Sequence, residues 1–141
     1  MQLLDVNVLI ALAWPNHVHH AAARAWFVTK AQDAWATTPM TEAGFVRVSA
    51  NHRAMPTSVT PAEALQMLDH IRERPGHSFL LDDVERVVGE AVPAERVVGH
   101  RQVTDAHLLA VAHRHQARLA TFDRGMRELD VHGIVEVIDS N

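Results

Sequence analysis

The sequence predicts an α/β protein with a central, mainly parallel sheet, on three observations. Short apolar runs alternate with helical stretches along the chain, threonine, proline and glycine punctuate the helices, and acids recur where an apolar run meets a helix start. Gln2 to Asp5 is the first expected strand, followed by a helix from Asn7 to Trp14 that Pro15 stops. A second helix is expected from His17 or Val18 to Ala31, with Ala22, Ala25 or Trp26, and Thr29 at helical spacing. Trp35 to Thr37 is a short strand. Thr38-Pro39 then has the N-cap and first-turn chemistry of a helix through Glu42, Phe45 and Val46. Thr60-Pro61-Ala62-Glu63 is a capping box; Ala64, Leu65, Leu68 and Ile71 form one apolar face until Arg74-Pro75-Gly76, and this helix is expected to be structural. Ser78 to Leu81 is an apolar run ending at Asp82 and Asp83, and Val84 to Gly99 is helical in character but broken by Gly89, Pro93 and Gly99. Thr104 can cap a helix from Asp105 to about His115, and Arg118 to Phe122 and Ile134 to Ile138 are the last buried strands.

Composition narrows the function classes. A length of 141 residues with 48% apolar content suits one domain over 1–141. The absence of Cys excludes disulfides, thiolate zinc sites and a cysteine nucleophile, and points to the cytoplasm. The apolar start MQLLDVNVLIALAW carries Asp5 and lacks both a basic leader and the length of a span, so neither a signal peptide nor a membrane segment is expected. A net charge of -4 argues against a broad basic face for nucleic acid, leaving only local phosphate contacts. Lys30 is the only lysine beside twelve arginines, a bias that base composition explains as readily as phosphate recognition. Eleven histidines are many, yet no His-Glu-x-x-His helix occurs, and His113 and His115, two apart, diverge on a helix. Surface or packing roles are expected for them, and core roles for Trp14, Trp26 and Trp35.

Four acids stand apart from the solvated ones. Asp5 and Asp123 end strands, whereas Glu42 and Asp105 lie in first helical turns, where the macrodipole favours negative charge. Taken singly, each is more readily a cap or an exposed charge. In an open α/β sheet, however, those positions converge on one crevice. Two carboxylates about 5 Å apart repel by roughly 3 kcal/mol at an effective dielectric near 20, so four together call for a cation. An all-oxygen set suits Mg²⁺ or Mn²⁺, and carboxylates, water and a substrate phosphate are the usual magnesium arrangement. Phosphodiester hydrolysis follows, with a carboxylate able to accept the attacking water's proton.

The chain resembles a PIN-domain ribonuclease, in particular the VapC toxins of VapBC toxin-antitoxin pairs, over nearly its whole length. The family's opening Asp-x-Asn before an apolar helix stands as Asp5-Val6-Asn7-Val8-Leu9-Ile10. Its second acid lies in Thr41-Glu42-Ala43-Gly44-Phe45-Val46-Arg47, its third in Thr104-Asp105-Ala106-His107-Leu108-Leu109-Ala110 and its fourth in Thr121-Phe122-Asp123-Arg124-Gly125. His20 to Trp26 also resembles a helix found in one branch of these toxins. The resemblance implies a three-layer α/β/α fold and an endoribonuclease dependent on Mg²⁺ or Mn²⁺, with Asp5 and Asp105 as principal ligands and Glu42 and Asp123 completing the quartet. It further implies that Asn7 and Thr121 orient carboxylates or water, that Arg47, Arg101 and Arg124 meet RNA phosphates, and that a homodimer is neutralised by a cognate antitoxin lying across the cleft. It assigns nothing between Asp82 and His100.

Two other classes place acids similarly. An aspartate-based phosphotransferase or phosphatase would want a lysine near the pocket and a second acid two residues after Asp5; Lys30 lies on a helix and residue 7 is Asn. A non-catalytic PIN-like module binding RNA or a partner would not need the full quartet.

Overall fold

The structure is a computed structural model that describes residues 1–140; Asn141, the last residue of the expected domain, lies outside them. Five strands form one sheet in the order β3-β2-β1-β4-β5. They are β1 (Gln2–Leu4), β2 (Trp35–Thr37), β3 (His77–Phe79), β4 (Arg118–Thr121) and β5 (Val135–Val137). Every pairing is parallel, with Leu3 opposite Ala36 on one side and Leu119 on the other. The helices are α1 (Val6–Ala13), α2 (His20–Lys30), α3 (Pro39–Ser49), α4 (Pro61–Arg72) and α5 (Gln102–Arg114).

The three inner strands, β2, β1 and β4, are covered on both faces and bury successive residues, whereas the outer strands β3 and β5 are only partly buried. Leu4, Trp35 and Ala120 pack with α1 to α4, including Val8, Phe27, Phe45 and Leu68. Leu3, Ala36 and Leu119 face the other way, onto Ala106, Leu109 and Ala112 of α5. From β1 the chain winds outward through β2 to β3, then returns through α5 to β4 on the opposite side of β1. The winding reverses between β1 and β4, and a crevice opens at the carboxyl ends of strands at such a point.

Several boundaries differ from the sequence reading. α2 begins at His20 because residues 15–19 are taken up by turns, with the His17 N–H on the Trp14 carbonyl and the His20 N–H on His17. Its buried face is Ala23 and Phe27, with Ala22 and Trp26 only half-buried and Thr29 exposed. On α4, Ala64 and Leu68 are buried, but Leu65 is exposed. The third strand starts at His77, one residue early, and ends at Phe79. α5 starts at Gln102, so Thr104 is not its cap; instead the Gln102 side-chain carbonyl accepts from the Val98 and Gly99 N–H groups.

Residues 84–99 hold no α-helix, only a 3-10 turn at Ala94–Arg96. Gly89, Pro93 and Gly99 interrupt any helical ladder, so the segment is fastened by side chains. Ala91 and Val92 are buried, and Val84, Val88 and Val97 pack against α5. At its start, His107 bridges Asp82 (2.7 Å) and the Val87 carbonyl (2.6 Å), and His115 meets Asp83 at 3.0 Å. The histidines expected to pack do so here, and Trp14 and Trp35 are core.

Candidate active site

Asp5 follows β1 directly, at the point where the strand's last backbone bond, from the Asp5 N–H to the Ala120 carbonyl, gives way to α1. Its carboxylate is held from three sides. One oxygen accepts from the Val6 N–H at 2.7 Å, which caps α1. The other accepts from the Thr121 hydroxyl at 2.7 Å and the Asn7 amide at 3.2 Å. Thr121, fully buried at the end of β4, spends its one proton on Asp5 and accepts from the Asn7 amide and the Asp123 N–H, both at 3.0 Å. Asn7 closes the ring by taking the Phe122 N–H on its carbonyl. β1 and β4 are thus stitched together at their carboxyl ends by Asp5, Asn7 and Thr121.

Two further acids enter the field of Asp5. Asp123 lies two residues beyond β4, where one oxygen caps the 3-10 turn Arg124–Glu128 through the Gly125 N–H. Asp105, in the first turn of α5, accepts no hydrogen bond from any described residue. Burial, then the charges of Asp5 and Asp123, push the Asp105 carboxyl up to about 6. Burial also raises Asp5, against its bonds from Thr121 and Val6, and Asp123 adds to the rise. The three donors to Asp5 favour its ionised form, and its charge in turn raises Asp105. Among the described residues no three acidic or imidazole groups are drawn up into a ready cage for an ion. Asp5, Asp105 and Asp123 are nonetheless coupled through their fields.

Glu42 reaches the same sheet edge from the side of β2, but its oxygens are engaged elsewhere. Thr37 donates to one at 2.7 Å, and the Arg72 guanidinium meets the other at 3.3 Å. Since the Thr37 hydroxyl gives its proton to Glu42, it accepts from Nε2–H of His77, also at 2.7 Å. Burial, then the neighbouring Arg72 charge, hold His77 below its ordinary range, against the pull of Glu42. Arg72 lies over the Phe79 ring, 5.0 Å from its centre. α4 thus reaches one of the four acids through Arg72. Nothing in the sequence marked Arg72, whereas the buried Thr37 at a strand end was a readable signal.

Arg47, Arg101 and Arg124 are exposed, each close in sequence to one of the acids. His19 stacks on Phe122 at 4.8 Å, one residue from Asp123, so the turn after α1 borders the crevice. Lys30 acts on Glu136, which Gln2 at the start of β1 also contacts, placing that cation at the other end of the sheet.

Residues 3–131 match the PIN domain family. The chain belongs to the PIN-domain family. This PIN domain is 52% identical over 136 residues to Ribonuclease VapC39 of Mycobacterium tuberculosis (strain ATCC 25618 / H37Rv), an alignment spanning 96% of this chain and 98% of that protein. It is 53% identical over 126 residues to Ribonuclease VapC38 of the same strain, covering 89% and 87% of the two chains. The resemblance to VapC ribonucleases drawn from the four acidic motifs is thereby established. In structure it superposes on VapBC2 from Rickettsia felis, solved bound to a DNA fragment from their promoter, with a TM-score of 0.63 and 98% of each chain covered. Identity there is 13%, so that likeness speaks to the fold alone. The PIN-type α/β/α arrangement with its parallel sheet is as expected. PIN-domain ribonucleases are in general divalent-metal enzymes, which accords with an all-oxygen donor set whose charges repel. No helix among the described residues is long and apolar enough to cross a membrane.

Proposed function

We propose that this chain is the toxic endoribonuclease of a toxin-antitoxin pair, hydrolysing RNA phosphodiester bonds with Mg²⁺, for which Mn²⁺ can substitute. The observation that carries this reading is that Asp5, Asp105 and Asp123 lie within one another's fields at the β1/β4 reversal, burial and then the charges of the other two pushing the Asp105 carboxyl up to about 6. Asp5 and Asp105 would hold the cation, with Asp123 and Glu42 completing the acidic set. When bound, the cation would supply Lewis-acid polarisation of the phosphoryl group and activation of the attacking water.

The chain's own residues do the rest. The Asn7–Thr121 pair fixes the Asp5 carboxylate before any ligand arrives, so little reorganisation is needed. Asp105 accepts no hydrogen bond from any described residue and is free to turn toward the cation, and a carboxylate not fully used as a ligand can accept the attacking water's proton. Arg47, Arg101 and Arg124 are exposed and available for phosphates. Relatedness to the VapC ribonucleases supports RNA as the substrate, the likeness to a VapBC structure is in keeping with a cognate antitoxin as partner, and a homodimer is proposed by family analogy alone.

Incubation of the purified chain with pooled RNA tests this. Internal cleavage in millimolar Mg²⁺ or Mn²⁺, abolished by chelator and by Asp5→Asn, is expected; undiminished cleavage by metal-stripped protein would exclude the mechanism.

A further inference from the structure

We infer that Arg72, braced on Phe79, is a substrate-phosphate contact that Glu42 holds in place until RNA arrives; this rests on the ribonuclease reading above. β3 is the sheet's outer strand, and Phe79 at its carboxyl end is 39% exposed, an uncommon place for a large aromatic ring. Arg72, at the last turn of α4, lays its guanidinium on that ring. The ring face supports the guanidinium at cation–π distance, 5.0 Å from its centre. Of its five N–H donors, one is used, in the single 3.3 Å contact to Glu42, and the side chain remains 38% exposed. A guanidinium in that state has room for a bidentate phosphate.

Position supports the same reading. Thr37 pairs in register with Phe79, and β2 lies between β3 and β1, so the Arg72 cluster is two strand spacings, roughly 10 Å, from the strand that presents Asp5. That offset suits a phosphate flanking the scissile one rather than the scissile group itself. The contact is also well matched to an acidic protein. With a net charge of -4 the chain has no basic face to hold RNA, so each anchored arginine matters more. Glu42 is the counter-ion while RNA is absent. The Thr37–His77 chain keeps one Glu42 oxygen occupied, so that loss of Arg72 to a phosphate does not leave the acid unsupported.

Steady-state cleavage of a single-stranded RNA by wild type, Arg72→Gln and Arg72→Lys, at several salt concentrations in Mg²⁺, tests the assignment. For Arg72→Gln, KM should rise about tenfold with kcat within about twofold of wild type. The slope of log kcat/KM against log salt should become shallower by about 0.7, one single-strand phosphate. Arg72→Lys should keep the wild-type slope and recover part of the KM. A fall in kcat with KM and slope unchanged would overturn the inference, leaving Arg72 as a support for Glu42. Wild-type kinetics in Arg72→Gln would overturn it while the ribonuclease reading stood. No metal-dependent cleavage by wild type would sink both.

Discussion

Replacing Asp105 with Asn removes one charge from the acidic cluster with almost no change in shape, and the structure fixes both sign and size of the effect. The carboxyl moves from an ordinary 3.8 to about 6 on folding, largely by burial and then by Asp5 and Asp123. Two pKa units correspond to about 3 kcal/mol. Asp105 is only half-buried, so solvent screening reduces this to about 1–2 kcal/mol. A raised carboxyl destabilises the folded state when ionised. The penalty is absent below the unfolded value of 3.8, grows as pH rises toward 6, and is constant above. Metal-free Asp105→Asn should therefore melt about 3–6 °C above metal-free wild type at pH 7.5 and together with it near pH 3.5.

Added Mg²⁺ should reverse the ranking. A ligand that binds only the folded state adds about 2.7 kcal/mol at one hundred times its dissociation constant, and the variant, having lost a ligand, gains less. Melting curves in chelator and in millimolar Mg²⁺, at both pH values, decide the matter. If Asp105→Asn melted below wild type without metal at pH 7.5, Asp105 would be a helix-stabilising charge of α5 and not a strained acid. Equal Mg²⁺-induced shifts in the two proteins would exclude it as a ligand.

Three other outcomes are expected. Expression of the chain without a partner should arrest growth, and soluble, folded Asp5→Ala should relieve the arrest; growth counts beside a melting curve of the purified variant check both. His107 is raised because its bonds to Asp82 and the Val87 carbonyl outweigh the opposing effect of burial, so its stabilisation is full below pH 6.5 and fades as pH rises through the folded value. His107→Gln should accordingly speed hydrogen exchange in residues 84–99 most at pH 6, with the difference from wild type narrowing toward alkaline pH. Gly44→Ala would place a Cβ 2.5 Å from the Val6 side chain, driving the helix of Glu42 off α1. It should cost about 1–3 kcal/mol in denaturant unfolding despite the better helix propensity of Ala, and Val6→Ala should recover most of that.

The parts of the fold that were legible are those where one local signal decides. Thr38-Pro39 and Thr60-Pro61 start their helices as expected because a cap and a preset φ act within one turn. The inner strands were legible because burial on both faces favours successive apolar residues, while β3, His-Ser-Phe and mostly exposed, carries no such run and its bounds were misplaced. Asp5, Asp105 and Asp123 were legible as a set for a topological reason: strand ends and helix starts of a parallel sheet share an edge, so position along the chain maps onto position in space. What failed depends on distant partners. α5 begins early, at Gln102, whose side-chain carbonyl takes the Val98 and Gly99 N–H groups of the preceding turn. Residues 84–99 are a fastened loop because His107 on α5 reaches the Val87 carbonyl and Asp82, while His115, just past α5, meets Asp83 at its threshold.

Glu42 shows where such mapping stops. Its place one turn into α3 could be read, but which charge faces it could not, since Arg72 lies thirty positions away at the end of another helix. The same pair explains why three of the four acids are coupled and one is not. At the β1/β4 reversal Asp5 is raised by burial and in smaller part by Asp123, and Asp105 by burial and then by Asp5 and Asp123. Glu42 has an arginine and a hydroxyl, and contributes nothing to that rise. An incoming cation would thus be drawn first to the trio, where neutralisation relieves repulsion, while Glu42 stays with Arg72 until a phosphate competes for the guanidinium.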